Sequence, residues 1–296
     1  MMPGNFVQNY AAVIASAHHL PYNTVLLRLE KVFGKPEPIP VQFWQYLQQV
    51  FLSFPPNFGP SFQYYPLPAW TIVALALQWT LLLLGVSQAI AWVASVFIGV
   101  YLALHKNKLI DKFLQPALYF LNSIPPFWLG LMFIFIFAID MHFLPPGQAY
   151  DVFPAPYTVL VHMVLPLSVI VLTSAPSHIM VARSAAIDVI GSDFVQATKA
   201  QGLSQHRLLM RVLRNSFIPS MTHMFLTVGS LIGGIITVEY TFSYPGMGTV
   251  IANSVAIQDY PVMQAAFYVV TIVVLVCNLA ADLAYPIIDP RVSYVE

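Results

Sequence analysis

Five stretches of this chain run for more than twenty residues without a lysine or arginine: about Thr80–Leu104, Phe113–Ile139, Thr158–Ala182, Phe217–Val238 and Val262–Ile288. A helix needs about 20 mostly apolar residues to cross roughly 30 Å of hydrocarbon, so each is long enough to span a bilayer. Composition points the same way. Only 8% of the 296 residues are charged, against 58% hydrophobic, whereas soluble domains carry roughly 25% charged residues. The chain is expected to be an all-α polytopic membrane protein with five transmembrane helices. Twelve basic against twelve acidic residues give net charge zero, which excludes a nucleic-acid binder because no excess positive field faces phosphates. The single cysteine, Cys277, excludes a disulfide framework and a cysteine-based metal site. A neighbouring histidine pair, His18-His19, reads as a solvated loop feature, and no metal site is expected.

The basic residues set an orientation, because cytoplasmic loops retain Lys and Arg. Lys106, Lys108 and Lys112 lie between the first two stretches. Arg183, Lys199, Arg207, Arg211 and Arg214 lie between the third and fourth, and Arg291 follows the fifth. The intervening loops, about 140–157 and 239–261, contain neither Lys nor Arg. The 105–112 and 183–216 loops and the C-terminus are therefore expected in the cytoplasm, and residues 1–70 outside. Residues 71–296 form the expected transmembrane domain. The first seventy residues alternate prolines with short amphipathic runs, and Thr24–Phe33 and Val41–Ser53 read as short helices. No leading apolar segment precedes this external piece, so a further span upstream of Met1 is expected.

The cytoplasmic segment 192–216 has the pattern of a helical hairpin. Ser192 is placed to cap a helix through Gln201, Gly202 to stop it, and Ser204 to start a second helix to about Ser216. In that second helix Arg207, Arg211 and Arg214 form one stripe, and Leu209, Val212 and Leu213 the opposite apolar side. Ala197, Ala200 and Gly202 are small enough for another backbone to come close. Docking into a partner's groove and lying on an anionic membrane surface both fit this pattern.

Residue order favours docking. Gln196-Ala197-Thr198, three residues and Gly202 resemble the coupling motif of binding-protein-dependent transport permeases, usually Glu-Ala-Ala, three residues, Gly. Here Gln replaces Glu and Thr the second Ala. The run Asp193–Ser204, with Lys199 and Leu203 inside it, resembles the dipeptide/oligopeptide branch of these permeases. So do Leu213–Pro219, Glu239–Gly248, Asp259–Val262, Asn278–Leu283 through Asp289-Pro290-Arg291, and Ser123–Gly130. The resemblance covers about 34–296. Family members of this type begin with a membrane span followed by a Pro-Gly pair, which Pro3-Gly4 matches.

The resemblance implies a type I ABC importer permease fold with a small external N-terminal domain, forming half of a pore for peptides or similar small solutes. It implies a second homologous permease, two cytoplasmic ATPases and an extracytoplasmic binding protein as partners. No Gly-x4-Gly-Lys-Ser/Thr loop occurs, so ATP and Mg are expected on the ATPases and no cofactor on this chain. Gln196–Ala200, Gly202, Leu203, Arg207 and Arg211 are the expected coupling residues. Glu239, Tyr244, Pro245, Gly246 and Gly248 are expected to form an external gating loop, with Glu239 its anchor. Asn278, Asp282, Asp289 and Arg291 are expected to be structural polar residues, Asp282 pairing across helices with Arg291 as one candidate partner. The competing readings are a secondary transporter or channel subunit without ATPase, and a permease relative importing oligosaccharides or nickel.

Overall fold

The computed structural model describes residues 7–8, 11, 14–16, 19–33, 38–151, 154–192 and 205–288. Nine helices are named here: α1 Tyr22–Phe33, α2 Ile39–Phe51, α3 Ala69–Leu104, α4 Leu109–Ser123, α5 Pro126–Phe133, α6 Pro156–Gly191, α7 Gln205–Thr241, α8 Met247–Ile257 and α9 Tyr260–Ile288. A π-helical stretch, Ile134–Asp140, prolongs α5. The chain divides into two compact units. One comprises residues 1–74 and 253–267, the other 75–252 and 268–296.

In the first unit α1 and α2 arise where expected, and each buries a valine, Val25 and Val50. Trp44, Tyr64 and Tyr65 stay exposed. The turn-rich stretch after α2 closes on itself through Ser61 N–H to Leu67 O at 2.8 Å and Ala69 N–H to Gly59 O at 3.0 Å. The buried carboxylate of Asp259 accepts from the Ser61 hydroxyl and from the Gln63 N–H. Asp259 thus ties the corner before α9 to the entry of α3.

The second unit is built on helices longer than a bilayer requires. α3 and α6 have 36 residues each and α7 has 37; at 1.5 Å per residue each is about 54 Å long. Among the described residues three helices are long and apolar enough to span a membrane on their own: α3, α6 and the Tyr260–Ala280 part of α9. The fourth predicted stretch lies inside α7. Pro166, Pro176 and Pro219 sit within uninterrupted helices, so these positions do not break their spans.

The second predicted span differs. It is not one helix: α4 and the α5–π segment meet at an angle of 96°. Ile124 and Pro125 have extended ψ values of 125° and 131°. A residue before proline is driven out of the helical region, and the Pro125-Pro126 pair offers no N–H to continue the ladder. The break is therefore local chemistry, and the span Phe113–Ile139 is a bent pair.

The helices on either side of the predicted hairpin run further than the sequence implied, while residues 193–204 lie outside the described residues. α6 runs on to Gly191, placing Arg183 inside a helix, and the Ser192 hydroxyl and N–H both donate back to Val189 O. Ser192 thus closes the helix before it. The second helix does not stop near Ser216 but continues through α7 to Thr241. Its apolar side packs as expected: Val212 is fully buried with Val100, Ala103 and Ala186, flanked by Leu209 and Leu213. Small residues set the α3–α6 crossing. A Cβ on Gly99 would fall 2.7 Å from Ala182 Cβ and 2.8 Å from Arg183 N, and Ser95 Oγ donates to Ala175 O at 3.1 Å. Close backbone approach of this kind replaces the hydrophobic driving force that lipid cannot supply.

Candidate functional site

The five residues expected in the gating loop come together at the end of α7. Glu239 is 0% exposed, two residues before the helix ends. The chain reverses through Ser243, at φ +49°, and Tyr244 N–H returns to Glu239 O at 2.8 Å. Gly248 N–H then donates to Glu239 Oε2 at 2.7 Å, and Met247 N–H to Thr80 Oγ1 at 2.8 Å. These two N–H groups open α8, where a helix leaves its donors unpaired. A carboxylate from the end of one helix thus caps the start of the next, favoured by the positive end of the helix dipole. Thr249 Oγ1 completes the hook by donating to Tyr244 O at 2.6 Å and facing Glu239 O at 3.1 Å.

Glycine is required at one point of the hook, where backbone comes close, and at a second it leaves room for the Glu239 carboxylate. A Cβ on Gly246 would lie 2.2 Å from Glu239 Oε1, and one on Gly248 2.5 Å from the Ile236 backbone. A third close approach comes from the loop after the bent span. Gly147 lies so near Phe242 that a Cβ would meet its carbonyl oxygen at 2.2 Å, and Gln148 N–H donates to that oxygen at 2.8 Å. Phe242 and Tyr244 are both buried, and Trp79 stands edge-on to the Tyr244 ring at 5.9 Å. The Tyr244 hydroxyl and Glu239 Oε1 have no hydrogen-bond partner among the described residues. Burial, reinforced by the neighbouring Glu239 carboxyl, holds the Tyr244 phenol above the usual tyrosine range. Beside the hook, His162 Nδ1 faces Gly147 O at 2.6 Å and Nε2 faces Asp151 Oδ1 at 3.0 Å, which fixes the same loop from α6.

Two polar centres escaped the sequence reading. The first joins Asp111, in the first turn of α4, to Arg183 on α6 through two 2.8 Å bonds, Nε to Oδ1 and Nη2 to Oδ2. Asn107 N–H at 3.0 Å and Gln115 Nε2 at 2.9 Å complete the carboxylate's shell. The second lies near the midpoints of three long helices. His178 Nε2 faces Gln88 Oε1 at 3.3 Å, His178 Nδ1 faces His223 Nδ1 at 3.1 Å, and Gln88 Nε2 donates to Ser174 Oγ at 3.4 Å. Ser174 Oγ donates in turn to Ile170 O at 2.8 Å. One proton arrangement satisfies every contact: His178 donates from Nε2 to Gln88, and His223 donates from Nδ1 to His178 Nδ1. The signal for both centres was in the sequence as polar residues within or beside spans. Gln88, His178 and His223 are uncharged polar residues spaced far apart in the sequence, so no local pattern marks them as one group.

Of the expected coupling residues, Gln196, Ala197, Thr198, Lys199, Ala200, Gly202 and Leu203 lie outside the described residues. Arg207 lies in α7, and Arg211 is half-buried on the same helix. Asn278 and Asp282 are exposed on α9 and have no partner among the described residues, while Asp289 and Arg291 lie outside them. No group of three or more metal-ligating side chains occurs among the described residues.

Comparison with other proteins accounts for this arrangement. Residues 95–294 match the family described as binding-protein-dependent transport system inner membrane component. The oligopeptide transport system permease protein AppB of Bacillus subtilis is 30% identical over 260 residues, spanning 86% of this chain and 81% of that protein. The glutathione transport system permease protein GsiC of Salmonella paratyphi A is 30% identical over 297 residues, 99% of this chain and 90% of that one. Among solved structures, an inward-facing MetNI methionine ABC transporter superposes with TM-score 0.61 at 16% identity, covering 73% of this chain and 96% of that one. That likeness shows a shared fold, the type I ABC importer permease fold. With its apolar spans, its hooked α7–α8 junction and these matches, the chain belongs to the binding-protein-dependent inner-membrane transport components, in their dipeptide/oligopeptide branch.

Proposed function

We propose that this chain forms half of the translocation pore of an ATP-driven importer for peptides or similar small solutes. Its partners in this reading are a second, homologous permease, two cytoplasmic ATPases that bind ATP and Mg, and an extracytoplasmic binding protein that delivers the solute. The chain itself carries no ATP chemistry. Residues 105–112, 192–204 and the C-terminus face the cytoplasm, and the Glu239 hook faces the opposite side.

One observation carries the reading. A single 37-residue helix, α7, begins directly after the segment that resembles the coupling motif and ends in the Glu239 hook. α6, which packs along α7, ends directly before the same segment. Displacing residues 192–204 therefore moves two helices that cross the bilayer, and α7 takes the Glu239–Gly248 turn with it. This is the bistable element that nucleotide and loaded binding protein would bias from opposite ends. Gln196–Ala200, Gly202, Leu203, Arg207 and Arg211 are the proposed contact with the ATPase.

Cysteines introduced at Ala200 or Gly202 should crosslink to a cysteine in the ATPase groove, with a yield that changes between ATP-bound and nucleotide-free states. Absence of crosslinking in every nucleotide state would refute the coupling assignment. The cargo is read separately by calorimetric titration of the binding protein with di- and oligopeptides, oligosaccharides and nickel, since selection rests mainly there.

A further inference from the structure

α4 turns its acid inward and its large apolar side chains outward. Asp111 and Leu118 are buried on the inner side, where Asp111 meets Arg183 and Leu118 packs with Leu102 and Ile179. The outer side presents Leu109, Phe113 and Phe120, which are 74%, 76% and 69% exposed. Their spacing of i, i+4 and i+11 puts them on one helical stripe. Lys106, Lys108 and Lys112 are exposed at the end of that stripe, where α4 begins. The one acid in residues 105–123 is Asp111, and the Arg183 fork holds it inward through two bonds. Arg183 thereby neutralises the segment's only negative charge, and the outward face keeps its lysines unopposed. Among the described residues no carboxylate stands within ion-pair distance of them. Asn107, at φ +66°, donates its N–H to Asp111 Oδ2 at 3.0 Å, so the same carboxylate sets the turn that carries the lysines.

We propose that the outer face of α4 binds an anionic phospholipid of the surrounding bilayer. The headgroup phosphate lies at Lys106, Lys108 and Lys112, and an acyl chain lies along Leu109, Phe113 and Phe120. The order of chemistry along the helix is the order along the lipid: cation at the headgroup level, aliphatic and aromatic surface below it. The lengths agree as well. Leu109 and Phe120 are separated by roughly 16 Å along the helix axis, and one leaflet's hydrocarbon is roughly 15 Å deep. A lysine stem lies along apolar surface while its ammonium reaches the headgroups. A zwitterionic lipid brings a phosphate too, but its own cation cancels the net attraction, so the face discriminates by headgroup charge. A homologous permease packed here would bring its own cations to the same edge, because Lys and Arg collect on one side of the bilayer. Like charges would then oppose, whereas an anionic lipid supplies the missing counter-charge at the correct depth. This inference uses only α4 and the membrane setting, and stands apart from the importer reading.

The test uses the assembled transporter, with its partner subunits, in phosphatidylcholine nanodiscs carrying a photoreactive guest lipid. Two guests are compared, phosphatidylglycerol and phosphatidylcholine, each with the same diazirine at the same place on one acyl chain. After irradiation and pepsin digestion, mass spectrometry reads the yield of lipid adduct on residues 109–123. At equal guest fraction phosphatidylglycerol should label this segment at least about fivefold more than phosphatidylcholine does. Lys106→Gln, Lys108→Gln and Lys112→Gln together should bring that ratio close to one, and arginine at the same three positions should retain most of it. The arginine variant controls for altered folding, since it alters all three positions while keeping the charge. Equal labelling of the wild type by the two lipids would overturn the proposal, as would an unchanged ratio in the glutamine variant. So would an absence of adduct from either lipid, which would mean that protein covers this face of α4.

Discussion

Arg183 grips Asp111 with both arms of its fork, Nε to Oδ1 and Nη2 to Oδ2, each at 2.8 Å. The carboxylate side chain is 2% exposed and the arginine 17%, so the pair is largely removed from water. It links the start of α4, one residue beyond the Lys106–Lys108 turn, to α6 eight residues before that helix ends. Two segments that also pack through Leu118 and Ile179 are thereby held in one register.

Breaking this pair from one side leaves a buried charge unmatched, which typically costs about 3–5 kcal/mol. Arg183→Ala should therefore lower the melting temperature of the purified protein sharply and reduce its yield from the membrane. Asp111→Ala should behave similarly, because Arg183 then keeps a charge without its partner. The double variant should be less damaged than the sum of the singles. Thermal unfolding in detergent checks this; additive losses would mean the two residues act independently.

The hook predicts a steric dependence of a different kind. At Gly246 a methyl group would overlap the Glu239 carboxylate, with Oε1 at 2.2 Å from the added Cβ. Gly246→Ala must displace the carboxylate that caps α8, so it should act like Glu239→Ala, costing about 1–3 kcal/mol as Gly248 N–H loses its acceptor. Glu239→Gln keeps one acceptor oxygen and should be milder than either. Solute uptake in cells, corrected for membrane level, should rank wild type above Glu239→Gln, and that above the two alanine variants.

Tyr244 offers the opposite case. Its ring is buried and pressed by Trp79, but its hydroxyl finds no partner among the described residues. Tyr244→Phe removes an unsatisfied polar group while keeping the shape, so it should be neutral or stabilising by up to about 1 kcal/mol. Tyr244→Ala should instead cost about 3–5 kcal/mol, the range for losing a buried aromatic ring. A drop in melting temperature for Tyr244→Phe comparable to that of Tyr244→Ala would show that the hydroxyl is bonded.

These contrasts mark how far the sequence could be read. The apolar stretches announced the long helices, because membrane burial needs little more than length and hydrophobicity. The amphipathic side at Leu209, Val212 and Leu213 was legible for the same reason. The break at Ile124-Pro125-Pro126 was written in the sequence as a proline pair, yet its 96° consequence depends on which neighbours accept the bent segment. Glu239 was recognisable as an anchor because a carboxylate at a span end needs a partner. That its partner would be Gly248 N–H, at the start of another helix, required the fold. Asp111 with Arg183 joins residues 72 positions apart, and no local pattern encodes such a meeting.

The His223–His178–Gln88 chain, buried at His178 and Gln88, gives the sharpest test of placement by the fold. Gln88 is the 20th of 36 residues in α3, His178 the 23rd of 36 in α6, and His223 the 19th of 37 in α7, so all three sit near mid-helix. Ionisable side chains at such depth must be paired. The single consistent proton arrangement runs from His223 Nδ1–H to His178 Nδ1 and from His178 Nε2–H to Gln88 Oε1. His178→Phe strands a donor on His223 and an acceptor on Gln88, two groups at once. His223→Phe strands only the His178 acceptor. Interhelical hydrogen bonds in membranes average about 0.6 kcal/mol and reach about 1.7, so His178→Phe should lose about twice what His223→Phe loses. The double variant His178→Phe with His223→Phe should cost no more than His178→Phe alone, since the histidine–histidine bond can be lost only once. A double-mutant cycle on thermal stability measures that coupling directly. Strictly additive losses would mean that His178 and His223 do not share a hydrogen bond, and α6 and α7 would then be joined at mid-helix by apolar packing alone.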